Sequence, residues 1–292
     1  MATLRDIRGR IKGVKSTQQI TKAMKMVAAA KMRKAQDRMH AARPYSKKVK
    51  ELLNNLAGGI DTKSNPFMQK RAEIKNVAVL IITSDRGLCG AFNSNLIRQT
   101  VAMINRDYKT ELETGHLHMI TVGRKSYDYF RKRGYNISHS DIGLFGNLGL
   151  NSARSITNHI TEGYLSGKYD LVVSAFNEFK NVATTKIQID QMIPIQVSID
   201  KSAHINPNYI FEPNQSAIVD SLIPMQLQTQ VWQMLLESFA AEQGARMTAM
   251  DSATENAKEL LKVLSLNYNR LRQAAITREI AEIVSGAESL KG

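Results

Sequence analysis

The chain has 292 residues, 43% of them apolar, with 40 Lys/Arg against 26 Asp/Glu and a net charge of +14. That is enough for one or two domains with proper cores, and no apolar run approaches the ~18 residues needed to span a bilayer. Cys89 is the only cysteine, which excludes an internal disulfide and a cysteine-based zinc site and fits a reducing compartment.

Residues 2–57 are predicted as one long helix. Leu4, Ile7, Ile11 and Val14 recur at coiled-coil spacing. No Gly or Pro occurs from Lys15 to Arg43, and Pro44 is expected to bend the helix without ending it. Over 20–39, "ITKAMKMVAAAKMRKAQDRM", the expected apolar stripe is thin (Ile20, Met24, Val27, Ala35, Met39) and the rest is cationic. The first 50 residues hold 15 Lys/Arg against only Asp6 and Asp37, so nearly all of the net charge lies there. Such segregation marks a local partner: nucleic acid, an anionic membrane surface or an acidic protein face. The opening "MATLRDIRGR" lacks the apolar core of a secretory signal, so a cytoplasmic setting is expected.

"AGGIDTKSNPF" (57–67) breaks the helical pattern with turn chemistry. From 74 to 200 the period changes. Strands are predicted at 76–84, 116–123 and 170–176, with helices over Phe92–Tyr108, Arg124–Arg133 and Asn151–Leu165. "TTKIQIDQMIPIQV" alternates at period two and predicts an antiparallel edge hairpin. From about Asn214 to Leu290 the chain is helical again, and Leu260, Leu264, Leu271 and Ala275 continue a seam. At ~1.5 Å per residue the terminal helices would measure roughly 80 and 110 Å, too long to stand alone, so they should pair with each other. The expected fold class is α/β with long terminal helices: an antiparallel two-helix coiled coil plus a small Rossmann-like α/β domain. Its expected parts are an N-terminal coiled-coil helix (1–57), a linker (58–73), an α/β foot (74–207) and a C-terminal coiled-coil helix (208–292).

Catalytic constellations are hard to find. In "SDRGLCGAFN" (84–93), Gly87 and Gly90 fall between strand and helix but match neither GxGxxG nor GxxxxGK[ST]. Cys89 has no histidine near it in sequence and reads as an inert loop cysteine. His116 and His118 could face one way on a strand, yet no third ligand suggests itself. No catalytic, cofactor-binding or metal residues are assigned. The last stretch, "LRQAAITREIAEIVSGAES", turns small and apolar where chain ends are usually polar, as if built to lie inside something.

"IRGRIKGVKSTQQITKAMKMVAAAKMRKAQ" closely resembles the N-terminal helix of γ subunits of rotary F-type ATP synthases, and Ile276, Thr277, Glu279, Glu282, Gly286 and Ala287 match that family's C-terminal signature. "ITSDRGLCGAFN" and "RMTAMDSATENA" are also γ-like, so the resemblance spans essentially the whole chain. It implies a non-catalytic central shaft inside a ring of three α and three β subunits, one copy per complex, with its foot on the membrane c-ring and the ε subunit. It implies a peripheral place on the cytoplasmic face of the inner membrane, with no cofactor. It places Met24, Lys25, Lys31 and Arg33 facing acidic β loops and Arg246 in polar contact with a β subunit. Arg278 and Glu279 would lie near the tip, with Ile280 and Ile283 in an apolar sleeve. Chloroplast members carry an inserted cysteine pair; this chain, with Cys89 alone, resembles the bacterial type. The rival from another class is a nucleic-acid-binding coiled coil using the basic helix as its arm, which predicts steeply salt-dependent DNA binding. A third possibility, a nucleotide-dependent α/β enzyme, would require ligand binding at Gly87–Gly90.

Overall fold

The computed structural model describes residues 3–57, 65–69, 71, 73–182, 184–195, 212 and 214–289. Most of the turn-rich stretch 57–67 and the end of the expected foot, 196–207, lie outside the described residues. In chain order the elements are α1 (Leu4–Ala57), β1 (Val77–Ile82), α2 (Phe92–Asp107), α3 (Lys109–Glu113), β2 (Leu117–Val122), α4 (Arg124–Lys132), β3 (Asn136–Asp141), a 3₁₀ turn (Leu144–Gly146), α5 (Leu150–Leu165), β4 (Leu171–Phe179), β5 (Thr185–Ile193) and α6 (Gln215–Ser289). Two compact units result: Met1–Ala28 with Met247–Gly292, and Ala29–Arg246.

The first unit pairs the start of α1 with the end of α6. Helix α1 opens on a reciprocal cap: Thr3 Oγ1 accepts the Asp6 amide at 3.2 Å, and the Asp6 carboxylate accepts the Thr3 amide and hydroxyl at 3.0 and 2.8 Å. The backbone bond from Thr3, then its hydroxyl, hold Asp6 below the usual carboxylate range. Arg8 donates to the Tyr268 hydroxyl at 2.7 Å, Thr21 and Thr254 share a 2.7 Å hydroxyl bond, and Lys25 pairs with Asp251 at 2.5 Å. Partners fall in number as α1 rises, so the pairing is antiparallel.

The seam keeps one phase. Ile7, Ile11, Val14, Gln18, Thr21, Lys25 and Ala28 alternate four- and three-residue steps, and all are buried or half-buried. Opposite them, Met250, Thr254, Ala257, Leu261, Leu264 and Tyr268 do the same, and half-buried Ala275 follows seven residues later, while Leu271 between them, expected in the seam, is exposed. This corrects the expected stripes. Ile20 and Val27 are 57% and 55% exposed, and Leu260 is 48% exposed while its neighbour Leu261 turns inward. The phase set by Ile7, Ile11 and Val14 decides which residues face the partner, even where that brings small or polar ones inside. Choosing the most apolar neighbour instead rotates the face by about 100°.

In the second unit the sheet runs β3-β2-β1-β4-β5, parallel except for the antiparallel edge pair β4–β5. All six residues of β1 are buried, as a central parallel strand covered on both faces requires. On one face Val77, Val79, Ile81, Met119 and Val173 pack with Leu96 and Ile104 of α2 and Phe130 of α4. The other face receives α6: Ser238 donates to the Ile82 carbonyl at 3.3 Å, and residues 234–238 are buried around the whole helix. Pro44 and Pro224 lie inside α1 and α6 without ending either. Gly123, at φ +89°, lets the end of β2 cross against β1, because a Cβ there would stand 2.2 Å from the Thr83 carbonyl oxygen.

The predicted strands and helices of this region all form, within a few residues of their expected limits. Strand β3, "NISHSD", was not predicted, because an edge strand with little buried surface carries no apolar signature. "TTKIQIDQMI" supplies one strand rather than a hairpin of its own, and its hairpin partner is β4, with Phe179 opposite Thr185. No helix among the described residues is long and apolar enough to cross a membrane.

Candidate partner interface

The antiparallel seam uses up one face of each helix in the first unit and leaves the others bare. On α1, Ile20, Met26 and Val27 stand exposed among Lys15 and Lys22. Met24 is half-buried, and Lys25 is held by Asp251. Contiguous apolar groups rimmed by cations are a surface for a partner that is partly apolar and partly acidic.

On α6 the bare region is longer. In the register set by Arg8 and Tyr268, α1 begins only one turn further on, at Leu4, so among the described residues no helix lies opposite the end of α6. Every side chain from Ile276 to Ser289 is exposed. Ile276, Ile280, Ile283 and Val284 make one apolar stripe there, with Ile283 at 70% exposure. Arg278 donates to Glu282 at 2.8 Å across one turn, and Glu279 is exposed. Four of the residues expected at an interface, Arg278, Glu279, Ile280 and Ile283, thus share one short helical run.

In the second unit Lys31 and Arg33 are exposed, and Lys31 lines a cleft with Asp85, Arg124, Phe145, Phe239 and Arg246. Phe145 and Phe239 stack at 5.6 Å. Arg246 is largely committed within the chain. Its side chain is only 11% exposed, Nη1 donates to Glu242 Oε1, and Nη2 donates to the Arg86 and Gly87 carbonyls at 3.2 Å. Burial pushes the Glu242 carboxyl up, and Arg246 offsets part of that. Sequence reasoning missed Glu242, although its four-residue spacing from Arg246 on a helix was a readable signal. It also missed Ile20 and Val27 as outward groups.

The loop 84–93 is closed by its own side chains. Ser84 N donates to Asn93 Oδ1 at 2.9 Å, and Asn93 Nδ2 donates to Ser84 Oγ at 2.7 Å and to Cys89 Sγ at 3.2 Å. Cys89 is buried, and that burial pushes its thiol up, away from thiolate chemistry. The carbonyls of Arg86 and Gly87 point at Arg246, so this loop presents acceptors where a phosphate cradle presents N–H groups. His116 bonds Asn76 and His118 bonds Asn136. Among the described residues no three His, Cys, Asp or Glu side chains are grouped to hold a metal ion.

These features define a class: an α/β domain whose terminal helices pair as an antiparallel coiled coil and keep mixed apolar and charged faces unpartnered. The family model described as ATP synthase matches residues 3–290. The chain is 53% identical to the ATP synthase gamma chain of Chloroherpeton thalassium, over 100% of this chain and 99% of the relative. It is 52% identical to that of Chlorobaculum tepidum over the full length of both. Among solved structures, a chain of the Tetrahymena thermophila mitochondrial ATP synthase central stalk and c-ring matches 80% of this chain and 99% of its own length, at 25% identity and a TM-score of 0.61. A chain of the Euglena gracilis mitochondrial enzyme shares the fold over 98% of this chain and 94% of its own, at 19% identity and a TM-score of 0.70. The chain belongs to the ATP synthase γ-chain family.

Proposed function

We propose that this chain is the central rotor shaft of an F-type ATP synthase. The observation that carries the reading is the bare end of α6: residues 276–289 form a helix with an apolar stripe and no partner among the described residues. A segment of that kind is stable in water only when something surrounds it. The family membership supports an ATP synthase as that surrounding, and the matched titles name a central stalk, an F1 part and a c-ring.

In this reading the terminal helices, 1–57 and 208–292, form the shaft within a ring of three α and three β subunits, and 74–207 is the foot on the c-ring and ε. Met24, Lys25, Lys31 and Arg33 face acidic β loops, and Arg246 adds polar contact from beside its Glu242 partner. Ile280 and Ile283 line the sleeve around the tip, with Arg278 and Glu279 at its rim. The chain holds no active site. Its two unlike helices present a different face to each of three identical β sites and shift their state energies by about a few kcal/mol each. Ion flow turning the foot drives ATP synthesis, and hydrolysis turns it back. The chain works as a peripheral protein on the cytoplasmic face. Lys and Arg stems with scattered Met and Ile suit contact that must be remade at each step.

The nucleic-acid-arm alternative finds no support in the comparisons. Both readings are tested by tagging the α/β domain, purifying the chain gently from its own cells and weighing the complex by native mass spectrometry. One copy with three each of two larger partners, together with ATPase activity, is the expected result. A homodimer or a nucleic-acid adduct would overturn it.

A further inference from the structure

The second unit holds a side-chain cluster that none of these surfaces uses. Three of the six histidines gather around Tyr169 at the β3 edge of the sheet. His139, on β3, stacks on His159 of α5 with ring centroids 4.5 Å apart and planes 23° from parallel. His139 Nε2 lies 3.0 Å from Asp141 Oδ2. His159 Nε2 lies 3.0 Å from the Tyr169 hydroxyl, and His118 of β2 tilts against the same tyrosine ring at 5.4 Å.

The hydrogen bonds here have a direction. Ser138 Oγ donates to the Met119 carbonyl at 3.3 Å, so it accepts the Tyr169 hydroxyl proton at 3.0 Å. The tyrosine oxygen must then accept from His159 Nε2. Neutral His159 is therefore fixed as its Nε2–H tautomer, and Nδ1 is where a second proton must go.

The surroundings treat the two stacked rings differently. Asp141, by hydrogen bond and by charge, draws His139 up against the opposing effect of burial. Burial first, then His139 and Lys168, push His159 down, while Glu162 and Asp141 pull weakly the other way. Burial, Lys168 and His116 push His118 down as well. One ring of the stack favours a proton and the other resists it.

We propose that the His139–His159 stack is a one-proton latch between β3 and α5. It is closed while His139 is charged on Asp141 and His159 is neutral. A second proton, on His159 Nδ1, sets two cations face to face and frees the edge strand. For His139, whose value is raised on folding, the stabilisation is complete below the ordinary ~6.5 and is lost as pH rises through the folded value. For His159, whose value is depressed, it is complete above ~6.5 and is lost as pH falls through the folded value. The latch is strongest between the two.

The test uses the full chain with ¹³C at histidine Cε1, titrated by NMR between about pH 5 and 8, the range in which histidine changes charge. Amide hydrogen exchange of 136–141 and 150–165 is followed in parallel and corrected for intrinsic rate. His139 and His159 are expected to titrate in separate steps on opposite sides of ~6.5. Exchange at β3 and α5 should quicken on the acid side, about tenfold for each unit by which His159 lies below that value. Asp141→Asn should lower the His139 step. His159→Phe, which keeps an aromatic stack without a titrating nitrogen, should abolish the acid-side rise. Should that variant fail to fold, His159→Gln takes its place, and the wild-type titration decides by itself. Both rings titrating together near ~6.5, or acid-side exchange at β3 equal to that at neutral pH, would overturn the proposal.

Discussion

Asp170 shows how much one carboxylate can organise. Arg71 Nη1 donates to Oδ1, the Lys75 and Asn76 amides donate to Oδ2 at 3.0 and 2.8 Å, and Arg71 also reaches the Tyr164 carbonyl at 2.7 Å. Burial alone would raise Asp170, but these donors outweigh it and hold the carboxyl below its ordinary range. Its stabilisation is therefore present above the unfolded value of ~3.9 and disappears as pH falls through the folded one. Asp170→Asn should cost about 2 kcal/mol in urea unfolding at neutral pH, and the loss should vanish in strong acid. Glu242 works in the opposite sense. Because burial raises it, its charged form is a liability that Arg246 offsets. Arg246→Ala, which leaves a carboxylate buried without its cation, should destabilise by about 3 kcal/mol, and adding Glu242→Gln should recover most of that in a double-mutant cycle.

Among the elements, α5 depends on a glycine. A Cβ at Gly163 would stand 2.2 Å from Cε2 of the buried Tyr169 ring, so Gly163→Ala should cost roughly 2 kcal/mol through overpacking and raise hydrogen exchange along α5. The coiled coil gives a paired comparison. Leu261→Ala removes a seam residue and should lower the thermal midpoint, whereas Leu260→Ala, at an exposed position, should change stability by less than about 0.5 kcal/mol. The same pair shows how far the sequence could be read. The existence of both long helices, their antiparallel pairing and the positions of three buried strands along the chain followed from period and composition, because those signals extend over many residues. The phase of the seam did not, since Thr21, Lys25 and Ala28 look less apolar than Ile20 and Val27. Polar β3 was invisible because its strand character comes from pairing with β2 rather than from its own side chains. The proposed interface residues were legible only through motif resemblance, and the internal commitment of Arg246 only from the geometry.

For the molecule as a whole, stability of the chain and stability of the assembly should separate. Ile280→Asp with Ile283→Asp alters exposed positions, so unfolding of the isolated chain should shift by no more than about 0.5 kcal/mol. The same change should reduce the yield of the intact complex on native mass spectrometry and lower its ATPase activity. A large loss of stability in the isolated chain would show that these residues already have an intramolecular role. The unpaired end of α6 also bears on how such a complex comes together. A run the length of 276–289 is about the limit at which an isolated helix holds together in water, so its last turns fray before partners arrive. Each residue that must be re-ordered costs about 1–2 kcal/mol of chain entropy, which discounts the gain from burying the isoleucine stripe. If the proposed shaft reading holds, the surrounding ring should accordingly close around this segment late and reversibly, with the helix completed by the enclosure that it helps to stabilise.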